Sequence, residues 1–152
     1  MRNLRHLVTL ALCWVWASGL PCWCDLTAAR ADRNLERRSD KALDNAVRIL
    51  AIAKQRYAAG DLQGTHAAIE EVRDSVELSF KSLRETGKDP RKSPKHFKRA
   101  ELMTRQLLRR LRDFQLEMAV EDRQQVEAVR DYVREVHEKL LAGILGEADW
   151  KK

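Results

Sequence analysis

Apolar residues recur at three- and four-residue steps along four stretches of the chain, with charged residues on the faces between them. That period belongs to helices packed along one face, because a half-buried strand would alternate by two. The first stretch runs from about Asn34 to Ala59, with Leu35, Leu43, Val47, Leu50, Ala53 and Tyr57 facing inward. The second runs from Leu62 to about Thr86, with Ile69, Val72, Val76, Phe80 and Leu83 as its stripe. The third runs from Pro94 to about Ala119 on Phe97, Ala100, Met103, Leu107, Leu111, Phe114 and Met118, widened by Leu108. The fourth, about 122–145, is the most regular: Val126, Val129, Val133, Val136 and Leu140, then Ile144.

The breaks follow local chemistry. Gly60 suits the left-handed turn that ends a helix, and Asp61 suits the cap that starts the next. The Tyr57-Ala-Ala-Gly-Asp61 segment resembles the helix-to-helix turn of tetratricopeptide hairpins over about 20 residues. The repeat period of about 34 residues does not follow, so the resemblance implies a hairpin and nothing more. Gly87 and Pro90 break the chain again, and Ser93-Pro94 reads as a cap followed by proline at the first helical position. Between the third and fourth stretches there is neither glycine nor proline. Asp122 with Gln125 reads as a capping pair, which predicts a kink or tight turn over 120–123. The rival is one helix over 94–145, about 78 Å long at 1.5 Å per residue, which leaves three helices in place of four. The expected fold is all-α: an antiparallel bundle of four helices over 32–148, with a short tail at 149–152.

Residues 1–31 follow a different pattern. Arg2, Arg5 and His6 precede the uncharged run Leu7 to Trp16. Ala17-Ser18-Gly19 and Ala29-Arg30-Ala31 each place small residues at minus three and minus one of a cut. This is the layout of a secretory signal peptide, with cuts after Gly19, Ala28 or Ala31 all consistent with it. The expected location is secreted or periplasmic. An uncleaved membrane tether is the alternative, although Gly19 and Pro21 interrupt an apolar stretch short of the roughly 20 residues a spanning helix needs. All three cysteines, Cys13, Cys22 and Cys24, lie in this segment, so a cut after Ala28 or Ala31 leaves a mature chain without thiols. Cys22 and Cys24 have neither haem-attachment nor Cys-x-x-Cys redox spacing.

The chain carries a formal charge of +6, unevenly spread. Residues 32–86 balance, 87–112 hold ten basic groups against Asp89 and Glu101, and 117–149 hold nine acidic against four basic. An up-down bundle sets the basic third helix beside the acidic fourth. The expectation is that Arg105, Arg109 and Arg112 pair across that seam. Arg91, Lys92, Lys95, Lys98 and Arg99 then stay free at the loop and helix start, as candidates for an anionic surface or polyanion.

Catalytic chemistry is hard to find. There is no nucleophile elbow, no phosphate-cradling glycine loop and no His-Glu-x-x-His motif. His66, His96 and His137 sit on three different helices and are the candidates for a shared metal. No cofactor is expected, nor nucleic acid, since exposed aromatics for stacking are lacking. The reading is a non-catalytic bundle acting by binding, through a protein partner or self-association.

Overall fold

The computed structural model describes residues 24–147 and Trp150. These form α1 (Cys24–Ala31), α2 (Leu35–Ala58), α3 (Leu62–Glu85), α4 (Pro94–Glu117) and α5 (Arg123–Leu145). No strand occurs among the described residues. None of their helices is long and apolar enough to cross a membrane. Most of the segment read as a signal peptide, residues 1–23, lies outside the described residues.

The ends of α2 and α3 follow from sequence as expected. The Asn34 side chain accepts the Arg37 N–H at 2.9 Å and starts α2. Gly60 at φ +79° turns the chain, and Asp61 accepts the Gly64 N–H at 2.8 Å to start α3. The long-helix alternative over 94–145 is ruled out. Met118 and Ala119 are extended, and a single 3-10 turn over Val120–Asp122 precedes α5. Two caps differ from expectation. The hydroxyl of Ser93 makes no capping bond to α4, and the carboxylate of Asp122 makes none to α5. Asp122 instead accepts the Tyr57 hydroxyl.

The four long helices form two hairpins, α2–α3 and α4–α5, packed face to face. Within each hairpin the helices are antiparallel: Ser39 meets Ser79 and Asn45 meets Ser75 in the first, Gln115 meets Glu127 in the second. Between hairpins the neighbours run parallel. At one end of α2 and α4, His96 faces Asp40, and at the other Lys54 faces Glu117. In the same way Gln125 of α5 meets Glu70 of α3, and Tyr132 meets Arg73. α3 and α4 therefore lie nearly diagonal, and the 86–93 segment crosses one end of the bundle.

α2 and α3 pack most extensively. Ala42, Ala46, Ala53 and Ala68 keep the two backbones close, and all are buried. Ser39, Ser75, Ser79 and Ser82 are buried in the same seam. Ser75 and Ser82 donate to the carbonyls of Glu71 and Leu78 one turn back. Ser39 and Ser79 share a hydroxyl bond of 2.7 Å. Buried hydroxyls are tolerated only when bonded in this way. α4 and α5 contribute Phe97, Leu107, Leu111, Phe114 and the valine ladder Val126, Val129, Val133 and Val136, all buried.

Two segments outside the expected bundle join it. α1 packs on α2, with Ala29 fully buried and Leu26 only 7 % exposed. Residues Leu26 and Ala29 of the segment expected to be leader thus pack with the folded body. At the other terminus Trp150 stacks edge-on against Phe80 and Phe97, at 5.7 and 5.0 Å between ring centres. Gly143 leaves room for the indole, since a Cβ there would stand 2.6 Å from the ring.

Candidate anion-binding site

The cationic cluster is built by the 86–93 crossover and the first turns of α4. Gly87 takes φ +63°, which lets the chain leave α3 sharply. Asp89 then organises the turn. Its carboxylate accepts the Arg91 N–H at 2.9 Å, and its carbonyl accepts the N–H groups of Lys92 and Ser93. The Arg91 bond, with the charges of Arg91 and Lys92, holds the Asp89 carboxyl below the ordinary value despite some burial. The turn delivers the chain into Pro94, which begins α4 with Lys95 and His96 in its first turn.

The expected charge pairing is redistributed. α4 presents its cations to α2, not to α5. Arg99 reaches Asp40 at 3.3 Å through Nε and Asp44 at 3.3 Å through Nη2. Lys88 donates to Glu36 at 2.7 Å. His96 stands between Glu36 (3.6 Å from Nε2) and Asp40 (3.3 Å from Nδ1). These two contacts have ion-pair distances but not hydrogen-bond alignment, and Nδ1 of His96 and Oδ1 of Asp40 are buried without a hydrogen bond. Glu36 is held below its ordinary value, first by the Lys88 bond and then by the charges of His96, Lys88 and Lys95, against the opposing effect of burial.

The arginines expected to pair across the α4–α5 seam do not do so. Arg105 binds Glu101 on its own helix, Arg112 faces Asp113 at 3.9 Å, and Arg109 has no ion-pair partner among the described residues. The acids of α5 pair along α5 itself, Asp131 with Arg130 and Arg134, Glu135 with Lys139. Side chains at three- and four-residue spacing on one helix reach each other more readily than they reach across a packed seam. The seam is bridged instead by Gln115, which bonds Glu127 and Arg130, and by His137 near Thr104 and Glu101.

Of the five candidates, Arg99 is therefore engaged and Arg91 lies 3.7 Å from Asp89. Lys92, Lys95 and Lys98 are exposed, and their side chains make no hydrogen bond or ion pair among the described residues. Lys95, Lys98 and Arg99 share a shallow surface depression of about 700 Å³ with Asp40, His96, Leu102 and Met103. Arg91 and Lys92 lie outside its lining. Leu102 forms an apolar edge and is 57 % exposed. The end of α4 adds to the field. A helix N-terminus carries partial positive charge and unpaired N–H groups. Here the first turn has no acid and the Ser93 hydroxyl does not close it.

The three histidines are not brought together. His66 lies near the start of α3, beside Gln125, and His96 lies at the opposite end of the bundle, between Glu36 and Asp40. Helices of 24 residues separate those ends by about 36 Å. His137 lies between them on α5, 3.3 Å from the Thr104 hydroxyl. Among the described residues no group of three or more His, Cys, Asp or Glu is placed to hold a metal ion.

Sequence reasoning missed the acids of α2. Glu36, Asp40 and Asp44 recur at four-residue steps, which puts them on one stripe. That signal was present, but only the parallel α2–α4 contact gives it a partner. Neither a family model, nor a curated protein, nor a solved structure matches the chain.

Proposed function

We propose that this chain is an exported, non-catalytic helical bundle that works by binding, and that its binding surface is the basic rim at the start of α4. The reading rests most directly on Lys92, Lys95 and Lys98, three exposed ammonium groups with no carboxylate in ion-pair contact at the positively charged end of a helix; Lys92 and Lys95 feel Asp89 and Glu36 only at longer range. A fold that aligns Glu36, Asp40 and Asp44 against this end, yet leaves three ammonium groups outside contact ion pairs, attracts a further negative charge. The shared chemistry of the ligand is phosphate, as on a lipid headgroup or a soluble polyphosphate.

Export is supported by the sequence of residues 1–23. The absence of a built nucleophile, acid–base pair or phosphate loop in the sequence directs the reading toward binding rather than turnover. The preference for an anion over a neutral partner comes from the unpaired lysines and the bare helix end.

The test is a titration of the folded protein with vesicles of anionic lipid, vesicles of neutral lipid, and polyphosphate, each at low and moderate salt. Binding to one or both anionic probes is expected, weakening at least several-fold as salt rises. Equal binding to neutral vesicles, or no salt dependence, refutes the reading.

A further inference from the structure

Three bonds in the N-terminal segment are candidates for an envelope endopeptidase, those after Gly19, Ala28 and Ala31; the first and last have small residues at both minus three and minus one, whereas the second has Leu26 at minus three. They differ in what they do to α1. Cuts after Ala28 or Ala31 remove Leu26, and the later cut removes Ala29 as well. These are the two α1 side chains buried against the bundle, one 7 % exposed and the other fully covered. Leu26 and Thr27 also form a wall of the cleft of about 440 Å³ in which Ile49, Ile52 and Ala68 sit. The α1–α2 junction is built as a unit. Asp32 accepts the Asn34 N–H at 2.9 Å and faces Lys41 at 2.8 Å, and its carbonyl accepts Arg38 Nε at 2.9 Å. The Asp32 N–H in turn bonds the carbonyl of Ala29, 3.1 Å away in α1.

We infer that processing occurs at the Gly19–Leu20 bond, so that α1 stays in the mature protein. This rests on the export reading above. Hydrolysis consumes one water: its hydroxyl joins the Gly19 carbonyl carbon, the carbon–nitrogen bond breaks, and Leu20 nitrogen leaves as the new α-amine. Ala17 and Gly19 supply the small side chains at minus three and minus one. The mature chain then begins Leu20-Pro21-Cys22-Trp23-Cys24. It enters an oxidising compartment with two closely spaced thiols, where the later cuts leave none.

The test is expression of the full chain in an export-competent host, followed by intact mass, N-terminal sequencing and thiol counting after reduction on protein from the envelope fraction. An N-terminus at Leu20 with two thiols is expected. An N-terminus at Ala29 or Asp32, with no thiol, overturns the inference and leaves export intact. An unshortened chain overturns both, and is distinguished by its mass. Leu26→Asp in the same experiment gives a second readout. If Leu26 belongs to the mature fold, the processed protein melts about 5 °C or more lower. An unchanged melting temperature contradicts the inference.

Discussion

Nδ1 of His96, on α4, stands 3.3 Å from the carboxylate of Asp40, on α2, while Nε Arg99 reaches the same carboxylate at 3.3 Å. Asp40 thus holds two of the groups that line the basic depression, and under the proposed function it competes with an incoming anion. Asp40→Asn keeps the shape and removes that competitor. Its expected effect is tighter binding of anionic vesicles or polyphosphate, by about two- to five-fold at low salt, with little change in melting temperature. Weaker binding in this variant, by the same titration, contradicts the assignment of the depression as the site.

The acid limb of stability is expected to run through Asp32. Hydrogen bonds from Lys41 and the Asn34 N–H, with the charges of Arg37 and Lys41, lower its pKa from 3.8 to about 2. A carboxyl whose folded pKa lies below its unfolded value stabilises the fold fully above the unfolded pKa. That contribution disappears as pH falls from about 4 toward 2. Glu36 and Asp89 are shifted in the same direction. Asp32→Asn is therefore expected to melt below the parent at pH 7 and to converge with it near pH 2. Thermal unfolding followed by circular dichroism across that range checks it; a constant gap between the two curves is the contrary result.

Tyr57 ties the first hairpin to the turn of the second. Its hydroxyl donates to Asp122 at 3.0 Å and accepts the Ala119 N–H at 2.9 Å, and its ring packs edge-on to Phe114. Tyr57→Phe keeps the ring and deletes both bonds. A loss of about 1–2 kcal/mol is expected, read by denaturant unfolding, with faster hydrogen exchange at the Ala119 amide. Unaltered exchange there contradicts the latch.

Much of this fold is legible in the chain, and the exceptions have physical causes. The valine ladder of α5 and the Phe97 to Met118 stripe of α4 are simple because each helix buries one face. α2 is less legible. It is covered by α1, α3 and α4, so Ala42, Ala46 and Ile49 are buried beside Leu43 and Leu50. Ser39 and Asn45 are buried too, hydrogen-bonded to Ser79 and Ser75 of α3. Polar residues at core positions defeat a reading by hydrophobicity. Asp122 resembles a cap by spacing but is drawn to Tyr57, 65 positions away in sequence. The charge runs were visible, yet their pairing depends on α2 lying parallel to α4, and chain order alone does not specify which hairpin faces meet.

Trp150 offers a probe of the crossover end. Gly143→Leu places a side chain where the indole lies, since even a Cβ would approach its ring to 2.6 Å. In a Trp23→Phe background of the chain from Leu20 onward, the variant is expected to show red-shifted tryptophan emission. Glycine-to-leucine replacement within α5 favours the helix by up to about 1 kcal/mol, so α5 itself is expected to stay folded by circular dichroism. Unshifted emission contradicts the packing of Trp150 on Phe80 and Phe97.

The central claim is that location, and not net charge alone, makes the start of α4 an anion-binding surface. The most direct measurement compares two triple charge reversals in vesicle co-sedimentation: Lys92→Glu, Lys95→Glu and Lys98→Glu against Arg109→Glu, Arg110→Glu and Arg112→Glu farther along the same helix. Both change the chain by the same charge. The first is expected to lose at least about ten-fold in affinity for anionic vesicles, and the second only a small part of that. Equal losses in the two variants, or no loss in the first, would contradict the claim.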